Sequence, residues 1–357
     1  MRFDVLVVGA GPGGCVAARG AAEGGASVLL LEKRPVVGLP VQCAEYAPAQ
    51  MLGYVEPWPE RCVIQRIRHM RTHLPDGEMV ETPAAGYVLD RAAFDQALAV
   101  AACRAGATLW TSARAVARNG RAVVVRREGT PVEVDCRVVI GADGPRSTVG
   151  GWIGQRNVDF IDGLQVEAVL AEPQACTEVY FDSAYPGGYG WRFPKGETAN
   201  VGVGVNRSMG GDPRQALDHL LARLAIPPGA LVGRTAGPVP AGGSVRRLRV
   251  GDTILVGDAA GHTHPVTGAG IFAAVVSGTL AGQAAAATIA ADDLSALDAY
   301  EREWNAFMAG PLRHALDQRR ALDARWSDDA AALSAALRET WVAFKAYGRR
   351  RKKRVQL

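Results

Sequence analysis

The 357 residues are 48% hydrophobic and 21% charged, an ordinary globular composition with enough chain for a large core in one complex domain or two. A formal net charge of +4 is too small to point to a nucleic-acid partner, although six basic residues sit together at Arg349 to Arg354. The six cysteines are scattered, with no C-x-x-C and no Cys/His spacing suited to zinc, so no metal site and no disulfide framework are expected.

The chain opens on "FDVLVVGAGPGGCVAARGAAEGGASVLLLEK" with no signal peptide ahead of it, so a cytoplasmic, thiol-reduced protein is expected. This stretch predicts a strand, a Gly-rich turn, a small-residue helix from about 13 to 23, and a second strand over 27–31 that ends at Glu32. The first strand is a nearly continuous apolar run, as a parallel strand buried on both faces requires. Residues 33–60 are irregular, and 63–74 and 78–89 predict strands of another sheet. "DRAAFDQALAVAACRAGA" predicts a helix with Asp90 as N-cap. Two further strands follow, and the chain returns to the buried sheet at Val138 to Gly141. From about 157 to 245 alternating strands predominate, interrupted by a helix over 213–224; "DTILVGDAAG" then rejoins the first sheet, and the last 60 residues predict helix. No window of 18 apolar residues runs without charge or Gly clusters, so no membrane span is expected.

The expected architecture is therefore α/β: a Rossmann-like cofactor domain with an inserted antiparallel β-sheet substrate domain and C-terminal helices. The boundaries are 1–64, 88–156 and 246–294 for the cofactor domain, 65–87 and 157–245 for the substrate domain, and 295–357 for the helical region with its basic tail.

Gly9, Gly11 and Gly14 form G-x-G-x-x-G between a strand and a helix. The first allows the tight turn, the second lets a pyrophosphate approach the helix N-terminus, and the third permits close helix–strand packing. Glu32 stands 23 residues after Gly9, where a carboxylate can accept hydrogen bonds from an adenosine ribose. Asp143 ends one later strand and Asp258 another, the latter placed to bind a polyol chain; the alternative is that these two acids cap turns. The stretch Thr267 to Ile271, with Gly268 and Gly270, opens a long Ala-rich helix whose positive end can face a reduced flavin ring. Three widely separated segments fit an extended FAD better than NAD.

"GAGPGG", "GADGPRS" and "GDAAG" together resemble flavoproteins of the p-hydroxybenzoate hydroxylase fold. Within them the chain is most similar to the geranylgeranyl reductase family, over roughly residues 1–310. That family carries Tyr-x-Trp-x-Phe-Pro followed by Gly-x-Gly; here Tyr189, Trp191, Phe193 and Pro194 precede Gly202 and Gly204 by seven residues. It also carries a loop Cys beside the flavin with an acid two residues on, matched by Cys43 and Glu45. The resemblance implies that the aromatic strand faces the flavin and lines an isoprenoid pocket, and the bare positions 202 and 204 are expected to leave room for the ligand. It also places Arg91 near FAD; the alternative is a surface salt bridge with Asp95. The family's usual Glu in the helix-start loop is replaced by Ala269, and His262 and His264 lie in that loop as candidate proton donors or as ligands of loop backbone.

Two catalytic readings follow. In the first, an FAD-dependent reductase saturates C=C bonds of an isoprenoid or other apolar substrate by hydride transfer from flavin N5, with Cys43 as proton donor. In the second, an FAD monooxygenase or halogenase acts on an aromatic, large substrate, although no equivalent of the halogenase lysine is found. A non-catalytic prenyl-chain binder is disfavoured by the intact Glu32, Asp143 and Asp258. With no second glycine motif, NAD(P)H binding transiently or a redox protein is expected to supply electrons. Leu333, Leu337, Trp341 and Phe344 are spaced as one apolar helix face beside the basic run, giving a peripheral membrane contact as one expectation and a helix docked on the core as the other.

Overall fold

A computed structural model describes residues 1–56 and 58–348. The basic run Arg349 to Arg354 lies outside the described residues.

In chain order the first part comprises β1 (Arg2–Val8), α1 (Pro12–Glu23), β2 (Val28–Leu31), β3 (Tyr46–Pro48), β4 (Val63–His73), β5 (Met79–Leu89) and α2 (Arg91–Arg104). Then come β6 (Thr108–Trp110), β7 (Ala113–Asn119), β8 (Ala122–Arg127), β9 (Thr130–Gly141) and α3 (Thr148–Trp152). The inserted region holds β10 (Phe160–Val169), β11 (Thr177–Tyr180), β12 (Tyr189–Lys195), β13 (Thr198–Val205), α4 (Pro213–Arg223) and β14 (Leu231–Pro240). The chain closes with β15 (Arg249–Val250), β16 (Thr253–Leu255), α5 (Ile271–Ala291), α6 (Asp298–Trp304), α7 (Gly310–Asp323) and α8 (Ala330–Thr340).

The first sheet has the order β15-β16-β9-β1-β2-β6, and β16, β9, β1, β2 and β6 run parallel. The apolar run Val5 to Val8 is buried on both faces, as its lack of alternation requires. α1 packs against α5 through small residues. A Cβ at Gly278 would lie 2.2 Å from the Gly13 carbonyl oxygen, so the two backbones nearly touch. α5 is long and apolar enough to cross a membrane, but 72% of that window is buried inside the protein; its hydrophobicity serves the core.

The second sheet has the order β14-β10-β13-β12-β11-β4-β5-β3. It is antiparallel except where β11 runs parallel to β4, which departs from the uniformly antiparallel expectation. β3 also belongs to it, although the sequence placed 46–48 with the cofactor domain. Three residues with no hydrophobic alternation carry too little pattern to assign to a sheet.

The C-terminal apolar face is internal. α8 ends at Thr340, so Trp341 and Phe344 follow the helix rather than extend it. Leu333, Leu337 and Trp341 are buried against Leu74, Val179 and Phe181 of the second sheet, and Trp341 donates its indole N–H to Thr72 Oγ1 at 3.2 Å. This face packs on Tyr189 and Phe193 of β12 and does not include the half-buried Trp191.

Candidate active site

Four expected site residues sit at the carboxyl ends of adjacent parallel strands: Asp258 after β16, Asp143 after β9, Gly9 after β1 and Glu32 after β2. Open α/β sheets bind ligands outside these strand ends. Gly9 has φ +105°, and a Cβ on Gly14 would lie 1.8 Å from the Gly9 carbonyl oxygen, so both positions exclude side chains. A Cβ on Gly11 would meet nothing within 4 Å, which leaves open space over the uncapped N-terminus of α1. The N-terminus of α5 at Gly270 is likewise uncapped by any side chain. α1 and α5 cross at Gly13 and Gly278, and a Cβ on Gly13 would lie 3.0 Å from the Ala274 carbonyl oxygen, so the two positive helix ends are close together.

Glu32 is fixed by two backbone donors, the Ala10 N–H at 3.1 Å and the Arg34 N–H at 2.9 Å. Asp258 differs from it. Its carboxylate accepts no hydrogen bond among the described residues, and burial pushes its pKa up, partly offset by the nearby Arg91 guanidinium. A Cβ on Gly270 would lie 3.2 Å from Asp258 Oδ1, so the carboxylate points into the cradle at the start of α5. A half-buried acid with no hydrogen-bond donor to it among the described residues, beside two open helix ends, fits the polyol and pyrophosphate of FAD. Asp143 instead braces α3, accepting from Ser147 Oγ and from the N–H groups of Thr148 (2.6 Å) and Val149 (3.2 Å). The turn-capping reading therefore describes its carboxylate.

Arg91 forms a bidentate pair with Asp95, with N–O distances of 3.0 to 3.1 Å. The pair is not a surface one, since the two side chains are 13% and 9% exposed. Burial raises the Asp95 carboxyl pKa, Arg91 opposes this, and Glu32 and Glu45 add to the rise. Glu32, Asp95, Arg91, Cys43 and Asp258 thus form one electrostatic neighbourhood along the groove.

Burial pushes the Cys43 thiol above its ordinary pKa, against the opposing effects of Arg91 and the Glu45 N–H. Its sulfur accepts that N–H at 3.2 Å, and its own proton is donated to no group among the described residues. A thiol kept protonated at neutral pH has the protonation state that a proton donor needs.

The two histidines do not suit that role. His262 is fully buried, stacks on Trp304 with ring centroids 3.7 Å apart, and is held neutral by burial with a pKa lowered to about 3. His264 is lowered to about 4, first by burial and then by His314. Its Nδ1 accepts the Thr267 N–H at 3.2 Å, so the neutral ring carries its proton on Nε2 and presents it to Tyr347 Oη at 3.1 Å. His264 ties the loop to Tyr347, whereas His262 is held by its stack on Trp304, with neither ring nitrogen hydrogen-bonded among the described residues.

On β12, Tyr189, Trp191 and Phe193 share one face. Tyr189 packs on Trp191 and Trp341 and donates its hydroxyl to the Thr267 carbonyl at 2.5 Å, which joins the strand to the loop before α5. Phe193 packs with the Trp341 cluster and lies 6.0 Å from Tyr46. Trp191 pairs across the ladder with Gly202, where a Cβ would lie 2.5 Å from Trp191 Cζ2. The space left at 202 is therefore filled by the indole, not by a ligand as the sequence suggested. A Cβ on Gly204 would in turn strike Ile161 at 2.8 Å. Trp191 is half-buried, and its N–H donates to Gln165 Oε1 at 3.2 Å.

Sequence reasoning missed Gln165, Lys195 and Asn200, which bind the Cys43 loop. The available signal was a polar residue within the apolar strands "LQVEAVLA" and "TANVGVGV", because a buried polar group needs a partner.

Fold and groove together define an FAD-dependent oxidoreductase. A geranylgeranyl reductase catalytic domain family model matches residues 163–230, and an FAD dependent oxidoreductase model matches residues 4–144. The digeranylgeranylglycerophospholipid reductase of Methanothrix thermoacetophila is 37% identical over 352 residues, covering 92% of this chain and 89% of that protein. A second such reductase, from Methanopyrus kandleri, is 38% identical over 360 residues, covering 94% and 91%. The crystal structure of a geranylgeranyl bacteriochlorophyll reductase-like protein from Thermoplasma acidophilum superposes with a TM-score of 0.82 at 29% identity, covering 95% of this chain and 96% of that one. A flavin-dependent halogenase shares only the fold, with a TM-score of 0.73 at 19% identity over 94% of this chain and 67% of that one. The chain belongs to the geranylgeranyl reductase family, and it is a reductase rather than a monooxygenase.

Proposed function

We propose that this protein saturates C=C bonds in the prenyl chains of a glycerolipid. The observation that carries the reading is the half-buried Trp191 indole, laid over Gly202 of the second sheet and linked through Gln165 to the loop of Cys43. An aromatic wall and a protonated thiol at one seam suit an apolar alkene that must gain a proton at one carbon. Bound and reduced, FAD supplies the hydride equivalent to the other carbon.

The chain's own residues do the rest. The α1 N-terminus at Gly11 would hold the pyrophosphate, Glu32 the ribose and Asp258 the ribityl hydroxyls, and Gly268 and Gly270 would leave room for the flavin at the start of α5. Arg91, paired with Asp95, keeps a fixed positive charge beside Asp258 and Cys43. Trp191 and Phe193 exclude water and align the chain. Electrons come from NAD(P)H bound transiently or from a redox protein, since the only G-x-G-x-x-G in the first strand–helix unit serves FAD. A substrate held in a membrane implies, under this reading, that the enzyme works from the cytoplasm at that membrane's surface. The test is anaerobic stopped-flow: photoreduced protein mixed with a geranylgeranyl glycerolipid should recover the oxidised flavin spectrum. If only oxygen restores that spectrum, the reading is wrong.

A further inference from the structure

The Cys43 loop is held by the opposite sheet through a set of buried polar side chains. Glu45 has φ +70°, a left-handed conformation that a non-glycine residue adopts at a cost of order 1–3 kcal/mol unless its surroundings enforce it. Its carboxylate is 1% exposed and joins three elements. Oε1 accepts the Arg91 N–H at the start of α2 (3.1 Å), while Oε2 accepts Asn200 Nδ2 of β13 (2.7 Å) and pairs with Lys195 Nζ at the end of β12 (2.7 Å). Asn200 Nδ2 also donates to the Ala44 carbonyl at 3.3 Å. Gln165 Nε2 of β10 donates to the Cys43 carbonyl at 2.8 Å, while its Oε1 holds the Trp191 indole. Three consecutive loop residues, Cys43, Ala44 and Glu45, are therefore each bound by a side chain from the substrate sheet.

We propose that Glu45, Asn200, Lys195 and Gln165 form a clamp that positions the Cys43 thiol relative to the aromatic strand. The inference rests on the reading of Cys43 as proton donor. Gln165 is the element that couples the two partners of the reaction: one amide fixes both the thiol-bearing backbone and the aromatic wall. Burial of the Glu45–Lys195 pair keeps the clamp closed only while both charges are present, because a lone buried charge is strongly unfavourable. The left-handed Glu45 then directs the N–H of residue 45 at the Cys43 sulfur, leaving the thiol proton for substrate.

The test uses FAD-loaded full-length protein with the variants Asn200→Ala, Lys195→Met, Lys195→Arg and Cys43→Ser. Two quantities are read: steady-state kcat and KM, and the rate of iodoacetamide labelling at Cys43 resolved by peptide mass mapping. Loss of the clamp should lower kcat by at least 10-fold with little change in KM or flavin content, since misplacement by about 1 Å can cost on the order of 100-fold. Labelling of Cys43 should accelerate at least 5-fold in Asn200→Ala and Lys195→Met and return to the wild-type rate in Lys195→Arg. The alkaline limb of the kcat profile should move to lower pH as water reaches the thiol. If labelling and kcat stay within 2-fold of wild type in both disabling variants, the clamp is refuted. If Cys43→Ser keeps the full rate, the proton-donor reading fails, and the labelling rates alone then decide the clamp.

Discussion

Gly202→Ala should disturb the aromatic wall directly. The added methyl would lie 2.5 Å from Trp191 Cζ2 and 2.4 Å from Gln165 Cβ, well inside van der Waals contact. The strand backbone cannot retreat, because β13 is paired on both sides with β10 and β12. The indole must therefore swing off the strand, and its hydrogen bond to Gln165 is lost. Overpacking costs about 1–3 kcal/mol, and the hydrogen bond contributes about 1 kcal/mol, so a total of about 2–4 kcal/mol is expected. Urea unfolding gives the stability, and turnover on a prenyl glycerolipid gives the functional effect, which should be a loss of 10-fold or more on the order set by misplacement. Trp191→Ala should relieve the contact with the indole, though not that with Gln165 Cβ, so the double variant should be more stable than the sum of the single effects predicts. A Gly202→Ala protein with wild-type stability and turnover, or a double variant that is additive within about 0.5 kcal/mol, would refute the packing argument.

Asp258→Ala should purify with reduced flavin and bind FAD about 10- to 150-fold more weakly, from the 1.5–3 kcal/mol of a charged hydrogen bond; equilibrium dialysis reads this directly. His262 has a folded pKa below its unfolded value, so the stability it contributes is present above pH about 6.5 and falls away as pH drops toward about 3. His262→Phe keeps the stack on Trp304 and should flatten that acid loss in thermal melts run from pH 7 to pH 4. With the Leu333–Trp341 face buried, the part of the expected membrane contact that remains to be tested is the basic run 349–354. Deleting 349–357 should then abolish sedimentation with anionic vesicles, and salt should do the same to the intact protein, at about 1 kcal/mol per basic residue near the surface.

Much of the cofactor groove was legible because its residues are dictated by backbone geometry. Gly9 and Gly14 sit where no Cβ fits, and a doubly buried parallel strand must be continuously apolar. Glu32 followed from its place at the end of the next strand. The aromatic strand was also visible, since alternation survives in sequence. What could not be read was the cross-strand partner of each residue. Gly202 looked like room for a ligand because nothing in the sequence states that Trp191 pairs with it. Burial was hidden for the same reason. His262 in a cofactor loop suggests chemistry until Trp304, 42 residues on, is found stacked against it. The clamp on Cys43 draws on β10, β12 and β13, so no local pattern contains it.

The central claim is that reduced enzyme delivers two hydrogens to a carbon–carbon double bond without oxygen. Single turnover of the reduced protein on a geranylgeranyl glycerolipid, run anaerobically and followed by mass spectrometry of the lipid, tests it most directly. The account predicts a product heavier by two hydrogens for each flavin reoxidised, and by two deuteriums when the enzyme is reduced and reacted in deuterated water, because the flavin N5–H and the donor proton both exchange with solvent. No product until air is admitted, and then a lipid carrying added oxygen, would contradict it.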